Sequence, residues 1–247
     1  DRRTPFSRRS GPKQTDEDYA NDQAFKNYRR DTKQKKKGGY AAPPSAGPVV
    51  FKNKTTVTLV KKEDLGKQRA DVIICSTNGS LDMSGPAGKS IVNGAGPQIL
   101  TDLKANYPDG IKHGEIAIAK GYNLKCKEVY LAALPSWSPG GEKVIAESVN
   151  RSLNQAAGYK SIVFPALGTG NFRYPRDLVA RTMYDCVSKF DQIKSSLKDI
   201  KFLCYDPETI RAFEQEEMSR ANPGYVPLPT GGTGPFKKNN MTVKLVK

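Results

Sequence analysis

The sequence predicts an α/β sandwich built on a largely parallel central sheet. Two observations carry the prediction. Between residues 55 and 219, six short apolar or alternating segments take turns with segments whose apolar residues recur at helical spacing. One of the short segments, ADVIICSTN, is an unbroken apolar run, as expected of a strand buried on both faces.

Each element has its own local justification. TTVTLVKKEDL sets Val57 and Leu59 between polar neighbours and reads as a strand. ADVIICSTN follows as the buried strand. GKSIVNGAGPQILTDLKANYP starts after Gly85 and Pro86, and Ile91, Ala95, Ile99 and Leu103 recur every four residues, which predicts one helix interrupted in its middle by Gly94 and Gly96. EIAIAKGYNL and EVYLAALPSW are two further strands. EKVIAESVNRSLNQAAGYK aligns Val144, Ile145, Val149 and Leu153 on one helical face and stops at Gly158. SIVFPALG is a strand, and PRDLVARTMYDCVSKFDQI a helix with Pro175 near its first turn. DIKFLCYD and PETIRAFEQEEMSRA close the pattern as a strand and a proline-opened helix.

The flanks read differently. Residues 1–48 hold 12 Lys+Arg against 6 Asp+Glu and almost no apolar periodicity, so they read as a disordered basic arm and linker. A nucleic-acid contact is one use of such an arm; a solvated linker is the other, and aromatics are too sparse for base stacking. Residues 221–240 are a Pro/Gly linker. The end, 241–247, resembles the first strand: TVKLVK matches TVTLVK of Thr56–Lys61 at five of six positions, as expected of a second copy cut just after it begins or of the chance reuse of Val, Leu, Lys and Thr in short strands.

Composition bounds the chemistry. A formal charge of +15 over 247 residues suits polyanions and phosphate-rich ligands. The four cysteines form no CxxC pair, which reads as reduced thiols in a nuclear or cytoplasmic protein. His113 is the single histidine, so Ser-His or Cys-His catalysis and a zinc site are not expected. No run is long and apolar enough for a bilayer, and DRRTPFSRRSGPKQ lacks the apolar core of a secretory signal. The chain begins at Asp1 and reads as a monomeric piece of a longer protein.

In open α/β sheets, ligands gather at the carboxyl ends of strands. The loop DVIICSTNGSLDMSGPAGKS ends at a helix start, where free N–H groups suit phosphate, and Gly85 and Gly88 permit close approach. It is not a nucleotide P-loop, because Met83 stands where GxxxxGK[ST] needs glycine. In VFPALGTGNFRYPRDLVA, Gly168 and Gly170 can wrap a diphosphate or simply make a tight turn. Asn171 can donate, Phe172 can pack on a sugar, and Arg173 can meet phosphate or water. Tyr205 at a strand tip can stack on a base or on its own helix. Asp71 can accept from an exocyclic amine or serve as a strand-edge charge beside Lys67 or Arg69. Together these describe a cleft for ADP-ribose or a related nucleotide diphosphate.

ADVIICSTNGSL, SGPAGKSIVNGAGPQIL, YLAALPSW and SIVFPALGTGNFRYPRDLVA resemble the macrodomain family over roughly residues 50–219. AGPQI and GTGNFRYPRDLVA look most like macrodomains of the large poly(ADP-ribose) polymerases that carry several in tandem. The resemblance implies a three-layer α/β/α sandwich with a mixed, largely parallel six-stranded sheet, spanning 49–220. It implies ADP-ribose, free or on modified proteins, as the ligand, with no cofactor. By position, Asp71, with Val72 beside it, would bind the adenine amine and Tyr205 would pack on the ring. Backbone at Ser84, Gly85, Pro86, Ala87, Gly88 and Lys89, and at Gly168, Thr169, Gly170, Asn171 and Phe172, would hold the diphosphate. Phe172 and Asn78 would border the distal ribose. Hydrolytic macrodomains carry an asparagine where this chain has Cys75, and a loop aspartate where it has Gly88; Asp82 falls at a different loop position. The expected role is therefore a reader of ADP-ribosylation, with no catalytic residue here and any transferase domain elsewhere in the protein; the alternatives are an ADP-ribosyl hydrolase with an atypical site and nucleic-acid binding through the basic arm.

Overall fold

Alternate side chains of a strand point to opposite faces, and the strand Val72–Thr77 uses both. Val72 and Ile74 enter one apolar core, with Ile145, Val149, Phe164 and Phe213. Ile73 and Cys75 enter the other, with Ile91, Ile99 and Leu103. Burial on both sides is why this segment is apolar throughout.

The computed structural model describes residues 47–221. The expectations for the basic arm up to residue 46, for the Pro/Gly linker after 221 and for the repeat at 242–247 fall outside the described residues. The strands are β1 (Val49–Val50), β2 (Thr56–Lys61), β3 (Val72–Thr77), β4 (Ile116–Lys120), β5 (Glu128–Ala133), β6 (Ser161–Pro165) and β7 (Asp199–Cys204). They form one sheet in the order β1-β2-β7-β6-β3-β5-β4. The five central strands run parallel, and β1 and β4 close the two edges antiparallel. Helices α1 (Pro86–Ala95) and α2 (Gln98–Asn106) cover one face; α3 (Glu142–Gln155), α4 (Arg176–Phe190) and α5 (Pro207–Ala221) cover the other. This is the expected three-layer sandwich.

Two details differ from the sequence reading. The sheet has seven strands rather than six, because the two-residue β1 is too short to show any period. The single helix expected after Pro86 is two. Gly96 at φ 94° leaves the helical region while its N–H still closes on the Val92 carbonyl, and Pro97 then restarts the chain. Ile91 and Ala95 of α1 and Ile99 and Leu103 of α2 nonetheless share one core, which is why their spacing looked continuous.

One feature of the sheet creates the site. The β3–β6 ladder has only two pairs, Val72↔Ile162 and Ile73↔Val163. By contrast β3 stays paired with β5 as far as Thr77↔Ala133, and β6 with β7 as far as Pro165↔Leu203. Pro165 has no N–H to offer a neighbour. The sheet therefore opens between β3 and β6 at their carboxyl ends.

Candidate functional site

The opening leads into a crevice of about 410 Å³. Ser76, Thr77 and Asn78 line it from the end of β3, and Ser136 from beyond β5. Asp82, Ser84, Gly85, Pro86, Ala87 and Gly88 form one wall; Pro165, Ala166, Gly168, Gly170, Asn171 and Phe172 form the other.

The first wall is braced from within. Thr77 Oγ1 donates to the Asp82 carbonyl at 2.8 Å, and the Asp82 N–H donates to Asn78 Oδ1 at 3.0 Å. The N–H and hydroxyl of Ser84 donate to the two Asp82 carboxylate oxygens at 2.9 and 2.7 Å. Leu81, at φ 59°, makes the turn and buries its side chain. Helix α1 follows Gly85 with no side-chain cap; Pro86 has no N–H and the Lys89 N–H closes on the Gly85 carbonyl at 2.8 Å, so the Ala87 and Gly88 N–H groups in the crevice wall have no side-chain cap. Gly88 is required by packing: a Cβ there would lie 2.5 Å from the Met83 carbonyl oxygen.

The second wall turns on Gly168, at φ 72°, where a Cβ would stand 2.6 Å from the Tyr174 ring. Gly170 has open space on its Cβ side. The Phe172 carbonyl accepts from the Trp137 N–H at 2.8 Å, which ties this wall to the segment after β5. The walls meet at Asn171, whose Nδ2 lies 3.7 Å from where a Gly85 Cβ would be.

The structure brings together Asn78, the stretch from Ser84 to Gly88, Gly168, Gly170, Asn171 and Phe172. Thr169 is not in the lining; its hydroxyl donates to the Ala166 carbonyl of its own loop at 2.9 Å. Lys89 is exposed and outside the lining. Tyr205 stands at the carboxyl end of β7, one strand beyond β6, with 72% of its surface exposed. Its tip is held by the next residue: Asp206 accepts from the Thr209 N–H at 2.9 Å and from Arg176 Nε at 3.2 Å.

Asp71 and Val72 are not at the site. They lie at the amino end of β3, and seven residues of extended chain, roughly 23 Å, separate Asp71 from Asn78. Asp71 is a strand-edge charge, as its other reading allowed, but its partners are Lys127 at 2.9 Å and the N–H groups of Lys160 and Ser161. Val72 is wholly buried. Burial alone would raise the Asp71 carboxyl; the Lys127 ammonium and the two N–H donors outweigh it and hold the group below the usual carboxylate range.

A carboxylate missed by the sequence reading occupies the correct end. Asp64 follows β2, whose tip adjoins that of β7, since the Lys62 N–H donates to the Cys204 carbonyl at 2.9 Å. Asp64 Oδ1 takes both the Ser90 hydroxyl and the Gly66 N–H, leaving Oδ2 for an incoming donor. The Ser90 hydroxyl is the main reason its carboxyl sits below the usual range. Ser76, Thr77, Asp82, Ser136, Pro165 and Ala166 also line the crevice unexpectedly. For all but Asp82, adjacency to a strand tip was the available signal. Asp82 was placed outside the site; the Leu81 turn returns it to the lining. Cys75 faces the α1/α2 core, fully buried, its thiol pushed up to about 12 by that burial. Among the described residues no cluster of three or more His, Cys, Asp or Glu is placed to hold a metal, and no helix is long and apolar enough to cross a membrane.

Comparison with known proteins adds to this geometry. A family model for the Macro domain matches residues 74–183. The chain is 32% identical over 178 residues to protein mono-ADP-ribosyltransferase PARP14 of Homo sapiens, a match covering 66% of this chain and 10% of that protein. It therefore spans about a tenth of PARP14. It is 30% identical over 160 residues to an O-acetyl-ADP-ribose deacetylase of Enterobacter cloacae, covering 62% of this chain and 88% of that protein. Among solved structures, the Trypanosoma brucei macrodomain in complex with ADP-ribose superposes with a TM-score of 0.59 at 23% identity, over 64% of this chain and 67% of that one.

Proposed function

This chain belongs to the macrodomain family, and on that premise we propose that its crevice binds ADP-ribose, free or carried on modified proteins, and holds it without cleaving it. The observation that carries the reading is the pair of glycine-bearing walls facing each other across the β3–β6 opening, one of them a helix start with no side-chain cap. Such an arrangement suits a diphosphate at its centre. The distal ribose then lies toward Phe172 and Asn78. The adenine extends toward the β2 and β7 tips, where Tyr205 offers a ring face and Asp64 Oδ2 an acceptor for the exocyclic amine.

Three features favour holding over cutting. Gly88 cannot carry an acid without displacing Met83. Cys75 is buried and protonated. Asp82 lines the crevice, but hydrogen bonds from the Ser84 hydroxyl and N–H hold its carboxyl below the usual range, far from the near-neutral value that suits a general base. Asp82 is also the one observation that favours a second reading, hydrolysis, and relatives with transferase and deacetylase names fall on both sides of that choice. The larger protein would then supply any transferase activity from another domain.

Calorimetric titration with ADP-ribose, paired with an assay for its release from a modified protein, tests both readings. Binding without release is the expected result. Release that Asp82→Asn abolishes would establish hydrolysis instead. Absence of any binding heat at millimolar ligand would overturn both.

A further inference from the structure

The end of the sheet opposite the crevice carries a row of cations, three of which form no close ion pair with a carboxylate among the described residues. Strands β2, β7 and β6 are adjacent and parallel, so their amino ends lie side by side. Lys54 precedes β2, Lys198 precedes β7 and Lys160 precedes β6; with Thr56, Ser196 and Asp199 they line an open cavity of about 730 Å³. Among the described residues none of these three lysines ion-pairs with a carboxylate. Lys198 Nζ donates to the Asn53 carbonyl at 3.0 Å and its charge helps hold the Asp191 carboxyl below the usual range, and Lys54 sits at φ 67°, a left-handed conformation that lysine seldom takes. Three like charges thus converge on one hollow with a single acid, Asp199, in its lining.

The row continues along the sheet. Past β3, where Asp71 and Lys127 neutralise each other, Arg69 and Lys125 meet at an isolated bridge, and Lys120 ends β4 at the same edge. From β2 to β4 there are five inter-strand steps, a span of roughly 24 Å. A single phosphate needs only a fraction of that length. Along one strand of a duplex it covers about seven phosphates, at about 3.4 Å each. The partner is therefore a polymer.

We propose that this row binds the phosphate backbone of duplex nucleic acid without regard to sequence. Duplex is chosen over single strand because base stacking needs open rings. The exposed aromatic among the described residues, Tyr205, is at the other end of the sheet. Tyr159, at this end, is half-buried with Lys127 over its ring at 5.2 Å.

The test is fluorescence anisotropy of the full 247-residue chain with a labelled 20-base-pair duplex across a salt series, so that the basic arm is present in every sample. Each lysine on a phosphate contributes about 0.9 to the slope of log affinity against log salt. The triple variant Lys54→Gln/Lys160→Gln/Lys198→Gln is expected to flatten the slope by about 2.7 and to weaken binding roughly a hundredfold at about 0.15 M salt. Lys54→Gln/Lys160→Gln, which spares the Asn53 contact, should flatten it by about 1.8. The control Lys112→Gln/Lys143→Gln, at the crevice end, should change neither. An unchanged slope in both test variants would overturn the proposal, as would an equal effect from the control pair. Tighter binding of a single strand than of the duplex would overturn it too.

Discussion

Asp71 accepts from an ammonium and two backbone N–H groups while most of its surface is covered. Hydrogen bonds to charged groups each contribute more than neutral ones, so Asp71→Ala should cost on the order of 2 kcal/mol of stability. Its affinity for ADP-ribose should stay within about twofold, because the side chain is a sheet's length from the crevice. The pH dependence has a definite sign. A carboxyl held below its unfolded value of about 3.9 stabilises the fold above that value, and the contribution is lost as pH falls through the folded value. The deficit of the variant should therefore be full at neutral pH and shrink below about pH 4, as urea midpoints at the two pH values would show. Asp64→Asn is the complementary case. It should leave stability near wild type and weaken ADP-ribose binding by about tenfold, the effect of losing one charge-assisted bond. A titration showing the opposite pattern for these two aspartates would return the adenine contact to β3.

At the level of elements, the two glycine walls make separable predictions. Gly168→Ala forces a side chain into the left-handed region and against the Tyr174 ring, and should destabilise by at least about 1 kcal/mol. Gly170→Ala meets open space and should change stability by less than about 0.5 kcal/mol, so any loss of ADP-ribose affinity in that variant reads the ligand alone. The loops are also linked to each other. Arg176, at the start of α4, reaches Asp206 at 3.2 Å, Thr209 Oγ1 at 3.0 Å and Glu208 at 3.5 Å, so it joins the second wall to the Tyr205 tip. Arg176→Gln should weaken ADP-ribose binding several-fold in the wild-type background and hardly at all in Tyr205→Ala, a non-additivity that a purely structural role would not give. The elements themselves were legible because helix and strand periods are local. Val57, Ile91 and Val149 report their faces within a few residues. The glycine walls were legible for the same reason. The ends of the sheet were not: placing Asp71 needs the parallel register of β3 with β5 and β6, and finding Asp64 needs its contact with Ser90, 26 residues away. Asp82 was hidden by the single left-handed residue before it.

For the whole molecule, the polarity of the parallel sheet separates two surfaces. Strand tips, the uncapped start of α1 and the glycine walls gather at the carboxyl end; lysines without a close carboxylate ion pair gather at the amino end. The six residues of β3 hold these ends roughly 20 Å apart. Both faces of that strand are packed into apolar cores. Coupling between sites requires two states that both ligands bias. The expectation is independence. ADP-ribose at a hundred times its dissociation constant should add about 2.7 kcal/mol to stability. For a domain of this size that raises the melting temperature by roughly 5–11 °C. The shift should persist when the Lys54, Lys160 and Lys198 side chains are neutralised, and saturating duplex should leave the calorimetric affinity for ADP-ribose within about twofold. A tenfold change in either direction would correspond to about 1.4 kcal/mol of coupling. It would mean that the sheet transmits a rearrangement between its ends, and the β3–β6 opening, where the ladder between the two halves is down to two pairs, is the place to look for it.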